Sequence, residues 1–296
     1  MSIPFVHAPD LKPGVCEKLS ERIFRIIAPN PGPFTYTGSG TYIVTGADAC
    51  VVIDPGPDDP EHVDRIVSEA PSPIAAILIT HTHKDHCGGA PRLNQKTGAA
   101  TYGFGTHPNP KGLSAPALDE GADFDFAPDH QLTDGQRLSI AGVDLNVVHT
   151  PGHISNHICF ALDKEHALFT GDHIMGWATT VVAPPDGNMT DYMASLEKLL
   201  IRNDRVYYPT HGAPIHDPQA FTRAVQEHRR ARDRAILKTL DAGPQSIAEI
   251  VDTVYVGLAE PLKLAAGLNV RAHLDAHTER GLVEEENGLY RLTAAG

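Results

Sequence analysis

The sequence predicts an α+β fold of packed sheets with helices outside, followed by a small winged-helix unit, and three observations predict it. Short β-branched runs alternate with Gly-, Pro- and Asp-rich turns through the first half of the chain. Segments with apolar residues at helical spacing separate several of those runs, and after Gln219 long helical patterns take over and end in a hairpin signature. Mixed elements of this kind bury their apolar faces by stacking in layers.

In order, Thr41 to Thr45 and Cys50 to Ile53 read as strands joined at Gly46-Ala47-Asp48, and Asp54-Pro55-Gly56 reads as a turn. Val63, Ile66 and Val67 recur at helical spacing between Glu61 and Ala70, and Ile74 to Ile79 reads as a buried strand. Leu138 to Ile140, Asp144 to His149, His157 to Leu162 and Ala167 to Thr170 are further strands, and Met193 to Leu200 is an amphipathic helix. Between Gly103 and Pro128, dense glycine and proline with Asp119, Glu120, Asp123 and Asp125 predict a long surface loop near a site entrance. The helix from Gln219 to about Leu240 stops at Ala242-Gly243-Pro244, and Ser246-Ile247-Ala248-Glu249 fits a capping box that opens the next. Leu262 to Arg280 is a third helix, and Asn287-Gly288 joins two short strands. These boundaries predict two domains, 1–217 and 218–296.

Composition narrows the function. The chain has 296 residues and a net charge of −13, and no apolar run reaches the roughly 20 residues of a membrane span. The N-terminal stretch carries prolines and charges where an export signal would be apolar, so a cytoplasmic location is expected. From Pro218 onward 10 Lys+Arg face 11 Asp+Glu, against 14 and 26 in the remainder, so the acidic first part disfavours unspecific binding of polyanions. Cys16, Cys50, Cys87 and Cys159 form no CxxC pair, which argues against a disulfide framework or a thiolate zinc knuckle; Cys87, beside His86, could lie near a metal.

The densest signal is Thr80-His81-Thr82-His83-Lys84-Asp85-His86-Cys87-Gly88-Gly89, set after a buried strand. Alternate residues of an extended chain point the same way, so His81 and His83 can converge on one ion while the following turn brings Asp85 and His86 to a second. Gly88 and Gly89 are expected to permit a tight bend there. Thr150-Pro151-Gly152-His153, Thr170-Gly171-Asp172-His173 and Pro209-Thr210-His211-Gly212 each follow an apolar run and supply further ligand types at Gly-containing turns.

These motifs, in this order from Gly40 to Pro214, resemble the metallo-β-lactamase superfamily. The resemblance implies an αββα sandwich with a binuclear site at one edge of its sheets. His81, His83 and His153 would hold the first zinc, Asp85, His86 and His211 the second, and Asp172 would bridge them. Asp54, in the early Asp-Pro-Gly turn, would support the site from behind, and His173 is a candidate for proton delivery. Two Zn2+ ions, with Fe or Mn as alternatives for such donors, would share a hydroxide that attacks a carbonyl or phosphorus centre, and Asp85 could orient that nucleophile.

A narrower resemblance rests on Gly176-Trp177-Ala178-Thr179-Thr180-Val181-Val182, Pro184-Pro185-Asp186-Gly187, Asp191-Tyr192-Met193, Tyr208-Pro209-Thr210-His211-Gly212 and the winged-helix tail. It is similar to the β-lactamase-like protein two group, which implies either single-strand RNA cleavage or hydrolysis of carrier-bound thioesters. An ester, thioester or lactone of a small molecule is the expected substrate. Single-stranded RNA is the alternative, bound with help from Arg229, Arg230 and Arg232 in the run His228 to Arg234. A ligand-sensing DNA-binding regulator is a further alternative, for which Lys263, Arg271 and Arg280 on the third helix are few cations. A homodimer through the C-terminal unit is plausible.

Overall fold

The computed structural model describes residues 2–8, 10–108 and 121–294. Seven strands form one sheet in sequence order: β1 (Cys16–Lys18), β2 (Ile23–Ile27), β3 (Gly40–Thr45), β4 (Cys50–Ile53), β5 (Ile74–Leu78), β6 (Ala100–Gly103) and β7 (His130–Gln131). Pairing is antiparallel from β1 to β4 and parallel from β4 to β7. The second sheet runs β12-β11-β10-β9-β8, from β8 (Arg137–Ile140), β9 (Val143–His149), β10 (Ile158–Leu162), β11 (Ala167–Gly171) and β12 (Val206–Pro209).

Alternation along each strand makes the layers. Tyr42, Val44, Val51 and Ile53 face the second sheet and pack with Leu145, Val147, Phe160 and Phe169, while Ile43, Cys50 and Val52 face the other way. That outer face is covered by α1 (Pro60–Glu69) and α3 (Ala90–Thr97), through Val63, Ile66 and Leu93. The outer face of the second sheet is covered by α4 (Met189–Leu200) and α5 (Pro218–Leu240), through Tyr192, Leu196, Phe221 and Val225. The result is helix, sheet, sheet, helix, with a one-turn helix α2 (Lys84–Cys87) at the end of β5.

The C-terminal elements are α6 (Ile247–Val254), α7 (Glu260–Glu279) and the hairpin β13 (Val283–Glu286) and β14 (Leu289–Leu292). Their core joins Ile236 and Leu240 of α5 to Ile250, Val270, Leu274, Val283 and Tyr290. Ser246 and Glu249 complete the expected capping box, and Asn287 and Gly288 both take positive φ, as their turn requires. α5 and α7 also pack on α4, so the C-terminal helices touch the layer behind the second sheet.

The structure departs from the sequence reading in several places. The amphipathic helix α4 starts at Met189, four residues early, because the Asn188 side chain caps it by accepting from Asp191 N. β2 went unread, although Ile23, Ile26 and Ile27 are buried. Of the expected loop, 121–128 forms backbone bonds to the segment 80–89, Lys84 N to Gly121 O and Asp123 N to Thr82 O; Asp119 and Glu120 lie outside the described residues.

Candidate metal centre

Strand ends deliver the side chains. His81 and His83 follow β5, Asp85 and His86 stand on α2, His153 follows β9, Asp172 follows β11 and His211 follows β12. All converge at one edge of the two sheets, where every one of them except His83 is buried. Gly88 and Gly89 keep ordinary helical φ, so no unusual bend needs them. They are required by close approach instead: a Cβ at Gly88 would lie 2.4 Å from Lys84 O, and one at Gly89 2.8 Å from Pro55 O.

The ring orientations follow from fixed donors. The Val181 carbonyl can only accept, so His153 Nδ1 donates to it at 2.7 Å and, in the neutral ring, Nε2 carries the lone pair. Thr80 Oγ1 donates to Asp54 Oδ2 at 2.7 Å, so His81 Nδ1 donates to Thr80 Oγ1 and His81 Nε2 is likewise bare. Both bare nitrogens face His83 Nδ1, at 3.1 and 3.2 Å. One proton at most can lie among these three atoms, whereas ligands on one tetrahedral zinc stand about 3.3 Å apart.

The second donor set repeats the pattern. His86 Nδ1 donates to Asp54 Oδ2 at 2.8 Å, which aims Nε2 at Asp85 Oδ2 (3.3 Å) and Asp172 Oδ1 (3.5 Å). His211 Nε2 lies 3.3 Å from the same two oxygens. His86 Nε2 and Asp172 Oδ1 are buried without a hydrogen-bond partner. Asp172 Oδ2 lies 3.9 Å from His153 Nε2, so its two oxygens face the two sets. The chain therefore places groups of three donors, His81/His83/His153, Asp85/His86/His211 and His81/His86/Asp172, each able to hold a metal ion.

The electrostatics favour positive charge between the donors. Burial lowers the basicity of His86, but Asp85, Asp172 and Asp54 outweigh it and raise its pKa well above the usual value. His211 rises to about 10, since burial is again overcome, by Asp172 and Asp85. Burial opposes ionisation of Asp85 and Asp172, yet the imidazoles beside them hold both carboxyls well below the usual range.

Asp54 is the hub behind the site. Besides His86 and Thr80 Oγ1 it accepts from Thr80 N at 2.8 Å and Thr210 Oγ1 at 3.1 Å, so one carboxylate ties three ligand-bearing segments together. Sequence reasoning missed two residues with related roles. Ser39 Oγ donates to Asp85 Oδ2 at 2.9 Å. The fully buried His157 accepts from Asp172 N at 3.1 Å and donates to Thr150 Oγ1 at 2.8 Å, and a Cβ at Gly171, whose φ is +49°, would meet its ring at 2.6 Å.

Other expected residues are placed elsewhere. His173 is fully buried against Tyr192, neither ring nitrogen has a partner, and burial lowers its pKa to about 3, so it is a poor proton donor at neutral pH. Cys87 packs among Val63 and Ile66, and burial pushes its thiol up. Two of the three arginines expected to help bind RNA are engaged inside the protein. Arg229 is buried and donates to Asn269 Oδ1 and Thr180 O; Arg232 bonds Val254 O and lies over the Tyr255 ring; Arg230 is exposed but paired with Glu227 and Glu197. The helical register explains this, since Phe221, Val225, Arg229 and Ile236 share the inward face of α5.

Residues 36–211 match the model of the metallo-beta-lactamase superfamily. The chain belongs to that superfamily. It is a metal-dependent hydrolase, and residues 246–291 match the beta-lactamase associated winged helix domain. Among relatives of the superfamily, a beta-lactamase-like protein 2 homolog of Caenorhabditis elegans is 32% identical over 90% of this chain and 88% of its own length. An atrochrysone carboxyl ACP thioesterase of Cryptosporiopsis sp. is 32% identical over 76% of this chain, which covers 65% of that thioesterase. A metallo-beta-lactamase family protein from Thermus thermophilus has the same fold, with a TM-score of 0.77 and 23% identity over 93% of this chain and 100% of that one. Among the described residues no helix is long and apolar enough to cross a membrane.

Proposed function

We propose that the protein is a binuclear zinc hydrolase of a small ester, thioester or lactone, with a catalytic unit at 1–217 and a winged-helix unit at 218–296. The observation that carries it is the pair of donor sets joined by the two oxygens of Asp172. His81, His83 and His153 would hold one ion and Asp85, His86 and His211 the other, with Asp172 between them. When bound, two such ions supply acidified water and Lewis acidity toward a carbonyl.

The chain's own residues orient and exclude. Asp54 fixes the His86 ring, Val181 O fixes the His153 ring, and Ser39 holds Asp85. Asp85 Oδ2, 3.3 Å from both His86 Nε2 and His211 Nε2, is the oxygen that would join them as a ligand, and Asp85 would also orient the attacking water. Imidazole and carboxylate donors without thiolate favour zinc over softer choices. Arg229 and Arg232 are engaged internally and Arg230 is paired with acids, which supports a small substrate over RNA. The thioesterase relative supports the same class. The four unpaired cysteines accord with a reducing compartment, and we place its action in the cytoplasm.

The test is elemental analysis of the purified protein, then parallel assays on thioester, lactone and labelled single-stranded RNA panels. Two equivalents of zinc with turnover of a thioester or lactone, abolished in His86→Ala and Asp172→Ala, is the expected result. RNA cleavage without ester turnover would overturn the substrate class, and full activity in either variant would overturn the site.

A further inference from the structure

His153 is held by an irregular segment. Its Nδ1 donates to Val181 O at 2.7 Å, with Thr180 Oγ1 at 3.5 Å, and residues 180–182 lie in the stretch between β11 and α4 without helix or strand. Backbone of that kind has no ladder of its own to keep a carbonyl aimed. It is held from behind by the C-terminal helices. Asn269 Oδ1 on α7 accepts from Val182 N at 3.1 Å and from Arg229 Nη1 on α5 at 3.0 Å, while Arg229 Nη2 donates to Thr180 O. Asn269 Nδ2 is spent on Ala265 O at 3.0 Å, which fixes which end of the amide faces the segment. Arg229, Asn269 and Thr180 are all buried, and the guanidinium also lies over the Tyr192 ring, 5.1 Å from its centroid.

We propose that Arg229 and Asn269 are positioning residues for the His81/His83/His153 cation subsite, so that the C-terminal helices complete the metal centre by clamping Thr180 to Val182. This rests on the metal reading above. A buried arginine and amide that bond the two residues flanking a ligand's acceptor have a more specific consequence than packing: removing them frees one ligand of one subsite. The other donor set, oriented by Asp54 and Ser39, has no bond to the clamp.

The test compares Asn269→Leu, close in size but without an acceptor, with Asn269→Asp, which keeps the acceptor. Zn2+ affinity is read by competition with a chromophoric chelator, the His153 Nδ1 proton by NMR exchange, and the metal-free fold by thermal unfolding. In Asn269→Leu one of the two ions should bind about tenfold weaker, the low end of the usual cost of losing a group behind a ligand. It should be the ion also weakened by His83→Ala, and Asn269→Asp should recover most of the loss. Equal weakening of both ions, or of neither, would overturn the proposal. If Asn269→Leu does not fold, Arg229→Lys, which keeps the charge but not the paired donors, is read in the same way. If the unaltered protein binds no Zn2+, the metal reading fails by itself, and the clamp is judged on the metal-free protein: faster exchange of the His153 Nδ1 proton in the variant upholds it, unchanged exchange overturns it.

Discussion

Replacing Asp54 separates scaffolding from ligand orientation. Its carboxylate is 1% exposed and accepts four hydrogen bonds, from Thr80 N, Thr80 Oγ1, Thr210 Oγ1 and His86 Nδ1. Asp54→Ala leaves those donors without an acceptor, including a buried histidine whose pKa the acids around it raise. Breaking a buried pair of this kind costs about 3–5 kcal/mol, a large part of the roughly 5–15 kcal/mol that holds a typical protein folded. Affinity for the ion beside His86 should fall about 10- to 100-fold. Asp54→Asn is the discriminating arm. Asp54 sits at φ +49°, a conformation asparagine also tolerates, so the backbone is kept. With its amide oxygen on Thr80 N, its NH2 group faces His86 and favours the tautomer whose Nε2 carries a proton, which cannot ligate. Stability should therefore drop less than in Asp54→Ala while the affinity loss persists. Urea unfolding of metal-free protein and chelator competition measure the two quantities. A loss under about 1 kcal/mol in Asp54→Ala together with unchanged affinity would refute the hub role.

Four further outcomes are expected. Because His86 and His211 are raised by Asp85 and Asp172, both are imidazolium near pH 7 without a cation and must be neutral to ligate, so Zn2+ uptake should release about two protons, read from the dependence of binding heat on buffer ionisation. The same raised groups stabilise the metal-free fold fully below about pH 6.5 and lose that contribution as pH rises through about 10 for His211, while Zn2+ affinity climbs over the same window; a metal-free stability that rises across it would contradict this. Arg230→Ala should leave hydrolysis and stability nearly unchanged, within about 0.5 kcal/mol, because its ion pairs are exposed. Arg229→Ala should cost about 3 kcal/mol in urea unfolding, since it strips Thr180 O and Asn269 of a buried charged donor.

The contrast between those two arginines locates what the sequence could and could not disclose. Ligand motifs were legible because strand ends fix both the direction and the residue type: an HxHxDH run after a buried strand, and three Gly-containing turns after apolar runs, leave few other arrangements. The layers were legible for a similar reason, as alternate residues of β3 and β4 declare two buried faces. Groups that act through another residue leave no such local mark. His157 lies just before a strand, and its role depends on Asp172 N coming within 3.1 Å, while Ser39 depends on Asp85 from 46 positions away. Arg229 is the instructive case, because composition and periodicity disagreed about it. As one of a basic run it looked like a surface group reaching for phosphate; as the fourth residue after Val225 and the eighth after Phe221 it fell on the buried face of α5. Periodicity was the better guide, since a helix that packs on several partners buries whatever stands on its inner stripe, and a cation placed there must find acceptors. It finds them at Thr180 O and Asn269 Oδ1, beside the segment that orients His153.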